Sequence, residues 1–369
     1  MGDTSLRELN IVEKNQSRCF RLIQRATRTF SLNLSGLVVL TEGATGYYVL
    51  TPLIAALAGA ERVYALASDS SYGSAEAVRE LTMTMANRWG ISDQIEVIFS
   101  REDERIGKAD VVTNLGFVRP LDAPFLIRLK PTAVIPLMFE TWEYRHADLD
   151  LAECKRLGIS VLGTNEHHRG LRIFEYVGLL AVRLLFDIEV EIFRSRIVVI
   201  GSGEFAEQVV TKLLGAKAYV TFLFSGRKGS LRSLKARQAF RDADAVVIVE
   251  LKSHRPLIGQ NGEIGAEELF AINPHLAITH ICGSVDREAL EAVGFRCHPN
   301  QFGTPGFMSV TTDYLGPRPL IDLHTAGLKI GEELAKARRR GLSSQEAERF
   351  VLKKTSLAQG FDKTPNRRG

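Results

Sequence analysis

The sequence has few cysteines and little net charge. Among its 369 residues there are four cysteines, and 47 basic residues against 43 acidic ones leave a formal net charge of +4. The cysteines have no metal-type or redox-type spacing, which fits a reducing cytoplasm; they are Cys19, Cys154, Cys282 and Cys297. The small charge favours no nucleic-acid partner, because basic stretches such as AKARRRG are typical of solvated helix faces.

Long apolar runs are also missing. The first residues, MGDTSLRELNIVEKNQ, are polar and do not resemble a secretory signal. The most apolar helical stretch, VGLLAVRLLF, is short and carries Arg183, so it predicts a buried helix and no membrane span. We therefore expect a cytoplasmic protein without a membrane partner.

Apolar runs that alternate with helical patterns dominate what is present. Runs such as GLVVL, RVYALA, ADVVTNLG and TAVIPLMF are continuously apolar, which is typical of parallel strands buried on both faces. A second series follows the long apolar helix, with RIVVIG, ADAVVIVE and LAITHICGS. The pattern predicts an α/β protein with two doubly wound, parallel-sheet, Rossmann-like lobes joined by crossover helices.

The length and the two series predict two domains. We place residues 1–165 and 320–369 in a substrate or catalytic lobe of flavodoxin-like type. Residues 166–319 then form a dinucleotide-binding lobe.

A glycine turn follows the first strand of the second lobe. In VVIGSGEFA, Gly201, Gly203 and Ala206 have the spacing of the dinucleotide fingerprint, with alanine at the third small position. The first glycine permits a tight turn, the second lets backbone approach a pyrophosphate, and the helix start offers free N–H groups to the phosphates. The sequence predicts cofactor contacts along the whole turn, which also includes Ser202, Glu204 and Phe205. A glycine turn kept only for packing is the alternative.

The end of the next strand bears on the choice of cofactor. An NAD site usually has Asp or Glu there to bind the ribose hydroxyls, but YVTFLF is followed by Ser225, Gly226, Arg227 and Lys228. A hydroxyl and two cations suit a 2′-phosphate, so NADP is predicted ahead of NAD. Solvated turn cations are the other interpretation.

The order of these parts resembles the D-isomer-specific 2-hydroxyacid dehydrogenase family from about Ala109 to Arg338. The segments ADLDLAECKRLGISVLGTN, VVIGSGEFAEQVV and LHTAGLK carry the resemblance, and Glu175 falls where the family's crossover helix commonly has an acid. The family implies that His324, placed at a strand end before a small-residue turn, is the general acid/base. It also implies a homodimer acting on a small-molecule substrate.

Two parts of the family pattern are absent. The family's substrate-binding arginine would fall around Ile281 and Cys282, where no arginine lies, and no glutamate precedes the histidine motif in the stretch from Cys297 to Pro319. A simple 2-hydroxy acid is therefore a doubtful substrate. We expect instead an oxidoreductase that reduces a carbonyl, or oxidises an alcohol, of a small polar molecule.

Further polar residues follow predicted strands, where doubly wound sheets bind ligands. In FETWEYRHAD, Glu140, Trp142 and Arg145 are candidate substrate residues, with a solvated loop as the alternative. The strand ends that carry Glu250, Cys282 and Gly283 are expected near the cofactor, although Cys282 is more often a small buried residue than a nucleophile. His146, His167 and His168 match no metal pattern, so no metal is predicted.

Two other functions remain open. The segment VVLTEGATGYYVLTPLIAALAGAERVYALASDSS also resembles the start of an S-adenosylmethionine-dependent methyltransferase, with Gly43 and Gly46 near the ligand and Asp69 on the ribose hydroxyls. The chain could alternatively be a nucleotide-binding protein without catalysis.

Overall fold

The computed structural model describes residues 12–226 and 229–361, and it divides into two compact units. The first unit comprises Met1–Leu171 and Pro317–Gly369, and the second comprises Arg172–Gly316. The predicted boundaries, after 165 and after 319, lie six residues before and three residues after those of the units.

Parallel strands form the centre of each unit. In the described residues the strands are β1 Val38–Glu42, β2 Arg62–Leu66, β3 Ile95–Ile98, β4 Val111–Val112, β5 Val134–Pro136, β6 Ser160–Thr164, β7 Arg196–Gly201, β8 Tyr219–Phe224, β9 Ala245–Val249, β10 Pro256–Ile258, β11 Ala277–Cys282, β12 Ser284–Val285, β13 Arg296–His298 and β14 Ala358–Gln359. Strands β1, β5, β7, β9 and β11 are apolar almost throughout and almost wholly buried, as the continuous apolar runs predict.

Helices separate most of these strands. They are α1 Gln16–Phe30, α2 Leu50–Leu57, α3 Ala75–Arg88, α4 Ala123–Leu126, α5 Leu151–Leu157, α6 Ile173–Asp187, α7 Gly203–Gly215, α8 Leu234–Asp242, α9 Ala266–Ile272, α10 Arg287–Ala292, α11 Arg318–Arg339 and α12 Ser344–Lys354. Among the described residues, no helix has both the length and the apolar composition that a membrane span requires.

The first unit has a sheet of order β14-β6-β5-β4-β1-β2-β3, parallel except for β14, which runs antiparallel to β6. Read from β3, this is the 3-2-1-4-5-6 order of a dinucleotide-binding fold. The prediction of a flavodoxin-like first lobe is therefore wrong. Its cause is the pairing of β1 with β4, which lie about 70 residues apart and whose partnership no local pattern reveals.

The second unit has a five-stranded sheet of order β13-β11-β9-β7-β8, with all neighbours parallel. Counted within the unit this is the flavodoxin-type order, in which the first strand β7 lies between the second and the third, β8 and β9. The fold is α/β with two doubly wound, mainly parallel sheets, as predicted. In both units a switch point exists where strand order reverses, at β1/β4 and at β7/β9.

The two long helices predicted to join the lobes each belong to one unit. Helix α6 packs against α7, where Gly178 allows the backbones to approach: a Cβ at this position would lie 2.5 Å from the carbonyl oxygen of Gln208. Helix α11 packs against α1 and α2 and crosses β4, β5 and β6 of the first unit. Its buried face makes it a core element of that unit.

Candidate functional site

The glycine turn of the second unit has the close packing that its sequence predicts. Strand β7 ends at Gly201, Ser202 is extended, and α7 begins at Gly203. A Cβ on Gly201 would lie 2.2 Å from the carbonyl oxygen of Val249 and 3.0 Å from the Cβ of Ala206. Only glycine fits this position without displacing β9. The buried Ala206 then allows α7 to pack closely on the strand.

The second glycine of the turn serves a different purpose. Gly203 has a φ of 66°, and a Cβ there would meet nothing within 4 Å. Ser202 makes no side-chain capping bond to the first turn of α7, so this helix start is not closed by its own cap. An open space in front of a helix N-terminus suits a phosphate. Glu204 in the same turn opposes an anion electrostatically, while Phe205 packs against Phe174 with ring centroids 5.3 Å apart.

Ser225 is engaged inside the protein. Its hydroxyl donates to Oε2 of Glu250, and the other carboxylate oxygen accepts the N–H groups of Lys252 at 3.1 Å and Ser253 at 3.0 Å. Because β7 lies between β8 and β9, this bond links the two strand ends on either side of Gly201. Ser225 is buried, so its predicted use for a 2′-phosphate would require that bond to break.

Sequence reasoning missed a cation beside this strand end. Arg255 donates to the backbone carbonyl of Ser225 and pairs with Glu263 at 3.0 Å. Glu263 in turn accepts the N–H of Leu231, so the pair fixes part of the loop after β8. The predicted cations Arg227 and Lys228 lie outside the described residues.

The end of β11 is a closed, neutral polar cluster. His280 is buried; its Nδ1 lies 2.6 Å from the hydroxyl of Ser309 and its Nε2 lies 3.1 Å from the carbonyl oxygen of Gly283. Because a carbonyl only accepts, Nε2 carries the hydrogen and Nδ1 accepts from Ser309. Burial lowers the pKa of His280 to about 4. The imidazole also stacks on Phe302, with ring centroids 4.2 Å apart.

Cys282 fits a structural position. Its side chain is fully buried, and burial followed by the charge of Glu250 raises the pKa of its thiol. A thiol kept protonated is a poor nucleophile. Gly283, at a φ of 136°, lies against Ile248 and Glu250.

His324 does not lie at a strand end, and this part of the prediction is wrong. It lies six residues past the first residue of α11, whose first turn contains Pro319, a typical helix-start residue. The small residues after it do not form a turn. Gly327 is helical because a Cβ there would lie 2.3 Å from Sδ of Met138, and Thr325 donates back to the carbonyl of Ile321 at 2.6 Å.

The environment of His324 holds its imidazole neutral. The side chain is 4% exposed, and burial lowers its pKa to about 3. Its Nδ1 lies 2.8 Å from the hydroxyl oxygen of Thr51, which is fully buried. In the described part of the chain this is the one hydrogen bond of Thr51's hydroxyl, so the hydroxyl donates and Nε2 carries the hydrogen. A group with this pKa is a poor proton donor at neutral pH.

Three carboxyl groups meet after β5 and β6. Glu140, which is buried, accepts the Nε1–H of Trp142 at 2.7 Å and the backbone N–H of Glu166 at 3.1 Å. Burial, more than the neighbouring carboxylates, raises the pKa of Glu143 to about 7 and that of Glu166 well above its usual range. A hydrogen bond between the Glu143 and Glu166 carboxyls requires that one of them be protonated.

This arrangement occupies part of the predicted substrate loop. Trp142 is about one-third exposed beside these acids, and Arg145 lies 3.8 Å from Asp148. His146 contacts the hydroxyl of Tyr144 at 2.9 Å. Among residues 12–226 and 229–361, no three His, Cys, Asp or Glu side chains are arranged to hold a metal ion.

The alternative ligand turn lies at the switch point of the first unit. Gly46 has a φ of 58°, and Gly43 lies in ordinary contact with Ala67. Asp69, just past β2, is exposed and accepts the N–H of Ala75 at 2.8 Å with one oxygen. Two residues at this edge were missed, Glu42 and Asn114. A polar residue that ends an apolar strand, as in VVLTEG and VVTNLG, is the signal that could have found them.

Comparison with known proteins gives only remote likeness. No family model matches the sequence, and no curated protein matches it. Solved structures with similar folds include a dipicolinate synthase from Bacillus halodurans, at 14% identity and a TM-score of 0.47 over 82% of this chain and 98% of that one. The 2-hydroxyacid dehydrogenase from Ketogulonicigenium vulgare has 13% identity and a TM-score of 0.45 over 84% and 98%.

A third similar structure is the NAD+-bound 3-phosphoglycerate dehydrogenase of Entamoeba histolytica, at 11% identity and a TM-score of 0.40 over 84% of this chain and 97% of that one. Two of these names belong to the group that the sequence motifs resemble. Likeness at this level assigns neither a family nor an activity to the chain.

Proposed function

We propose that this chain is an NAD(P)-dependent oxidoreductase that reduces a carbonyl group, or oxidises an alcohol, of a small polar substrate. The observation that carries the proposal is the turn at Gly201. Its first glycine packs on the carbonyl of Val249 and its second leaves open space before α7, at the β7/β9 switch point. Doubly wound sheets bind dinucleotides at such a point.

The second unit would hold the pyrophosphate on the backbone N–H groups that start α7, where the helix dipole favours an anion. The bound cofactor would supply or accept the hydride. Gly201 sets the closeness of helix and strand, and Gly203 keeps side-chain atoms away from the phosphates.

The choice between NAD and NADP rests on charges near Ser225. In the described residues the carboxylates of Glu250 and Glu263 and the cation Arg255 lie there, and this balance favours ribose hydroxyls over a phosphate. A preference for NADP therefore depends on Arg227 and Lys228. Replacing both with alanine would weaken NADPH binding more than NADH binding if they hold the 2′-phosphate.

The role of His324 as general acid/base stays a prediction of the family resemblance. Its neutral, buried imidazole opposes that role, because protonation at neutral pH would cost several pKa units. His324→Ala tests the point directly: loss of turnover with unchanged cofactor binding would support a catalytic role.

The proposed function is tested by titrating the protein with NADH and NADPH and following the fluorescence of the bound nicotinamide. Gly203→Ala is expected to weaken binding about tenfold or more, because a Cβ would enter the space reserved for phosphate and the positive φ disfavours alanine. Gly215→Ala, at the other end of α7, meets nothing within 4 Å and serves as the matched control. Equal affinities in the two variants, or no binding by the unmodified chain, would contradict the proposal.

A second candidate is S-adenosylmethionine-dependent methyl transfer by the first unit. Its 3-2-1-4-5-6 strand order, with Gly43 after β1 and Asp69 after β2, favours a nucleotide-like ligand there. Mass spectrometry of ligand carried by the purified protein separates the candidates, since the two cofactors differ in mass. NADH binding without turnover over a panel of carbonyl compounds would instead indicate a binding protein without catalysis.

A further inference from the structure

Two polar side chains lie side by side at the switch point of the first unit. The pairing of β1 with β4 runs from Val39 and Val111 through Leu40 and Val112, and the hydroxyls of Thr41 and Thr113 continue it with a 2.9 Å hydrogen bond. The next residues along the two strands are Glu42 and Asn114. They are only 4% and 3% exposed, yet they form no hydrogen bond with each other in the structure.

Glu42 occupies a space that the neighbouring turn leaves for it. A Cβ on Gly116 would lie 2.2 Å from its Oε2, and the backbone N–H of Phe117 points at the carboxyl group. Within the described residues no side chain donates to it, and burial raises its pKa to about 7 in spite of the attraction of Arg119. A carboxyl group this buried is costly without a partner.

Asn114 has one half of its amide satisfied. Its Oδ1 accepts the N–H of Met138 at 2.8 Å, which fixes the assignment of the two amide atoms because an N–H requires an acceptor. Met138 follows β5, on the side of β4 away from β1, so the Nδ2 group points toward the β1 side. This nitrogen is buried and has no partner among the described residues. Such a group calls for a partner that protein atoms do not supply.

We infer that Glu42 and Asn114 recognise an adenine nucleoside at the carboxyl edge of the first unit's sheet. A donor beside an acceptor on the protein matches a ligand edge that offers an acceptor beside an N–H donor. The N1 and N6 atoms of adenine form such an edge: N1 would accept from Nδ2 of Asn114, and the N6 amino group would donate to Glu42.

Asp69 supplies the complementary group for the sugar. It follows β2, the neighbour of β1, and one of its oxygens is left after the bond to Ala75. A carboxylate at this strand end is the usual acceptor for ribose hydroxyls. The carboxyl groups of Glu42 and Asp69 make the edge unsuitable for a free phosphate, so an uncharged nucleoside fits it better than an inorganic anion. The inference does not depend on the dinucleotide site of the second unit.

Adenosine is the probe for the test, in calorimetric titrations of the full chain. Asn114→Asp retains an acceptor for Met138 and removes the Nδ2 donor, while Glu42→Gln retains shape and removes the charge. Each is expected to weaken adenosine binding at least about tenfold. Purine riboside, which lacks the amino group, should bind the unmodified chain more weakly by a similar factor. Glu333→Gln, another buried carboxyl group of this unit, should bind adenosine normally.

Gly203→Ala separates this site from the one in the second unit. Adenosine binding that persists in Gly203→Ala, and falls in Asn114→Asp, is the expected result. Adenosine binding that falls only in Gly203→Ala would overturn the inference, as would no adenosine binding by the unmodified chain. In the latter case normal NADH binding would leave the proposed oxidoreductase intact.

Discussion

The buried hydroxyl of Thr51 and the imidazole of His324 form a 2.8 Å hydrogen bond between α2 and α11 of the first unit. Since this hydroxyl has a single hydrogen and donates it to Nδ1, the hydrogen of the neutral ring lies on Nε2. The pair explains why a histidine is stable inside a helix that packs on a sheet.

We predict that His324 remains neutral well below the usual pKa of histidine. Nitrogen chemical shifts should show the Nε2–H form at pH 5, because burial lowers the pKa of His324 to about 3. The measurement is a pH titration of isotopically labelled protein, with His324→Asn used to assign the signal. A midpoint between 6 and 7 would contradict the assignment and would restore a proton-transfer role.

The same shift makes the first unit sensitive to acid. The folded pKa of His324 is lower than the unfolded one of 6.5, so above pH 6.5 both states are neutral and no free energy depends on pH. As the pH falls below 6.5 the unfolded state binds a proton that the folded state does not. Between pH 6.5 and 4.5 the free energy of unfolding should fall by about 2 to 3 kcal/mol on this account.

His324→Asn keeps an acceptor for Thr51 but does not titrate. Urea unfolding over this pH range should show a smaller acid-induced loss for this variant than for the unmodified chain. An equal loss in both proteins would exclude His324 as the cause.

Thr51→Val should destabilise the first unit at pH 7. It replaces the hydroxyl with a methyl group and leaves Nδ1 of His324 buried without a donor, at a cost of about 1 to 3 kcal/mol. Thr325→Val, which removes only a bond to the preceding helical turn, is the control and should cost less. Similar free energies of unfolding for the two variants would argue against the Thr51 bond.

The carboxyl pair Glu143 and Glu166 should respond to pH in the opposite sense. Burial raises both folded pKa values above those of the unfolded chain, so the stabilisation is present at low pH and is lost as the pH rises through about 7. Glu166→Gln should unfold at a higher urea concentration than the unmodified chain at pH 8, and should lose the infrared band of a buried protonated acid at pH 6. Retention of that band would show that the proton is not shared at this pair.

Sequence reasoning predicted those features that depend on residues near one another in the chain. The turn from Gly201 to Ala206 follows directly from its spacing, because its strand, glycines and helix are contiguous. Continuous apolar strands likewise predicted the two parallel sheets.

The misplaced histidine has a physical cause. Gly327 resembles a turn residue, yet it is glycine because Met138, far away in the chain, fills the space that a side chain would need; Gly331 is similarly close to Val111 and Pro136. The strand order of the first unit and the bond between Ser225 and Glu250 also depend on distant pairs, which local patterns do not contain.

The most direct test of the central claim is amide hydrogen exchange measured by mass spectrometry with and without saturating NADH. If the phosphates lie on the start of α7, exchange in the peptide that covers residues 200–207 should slow when NADH binds. The Gly203→Ala protein should show no such change at the same NADH concentration. Bound NADH that leaves exchange in this peptide unchanged would contradict the account.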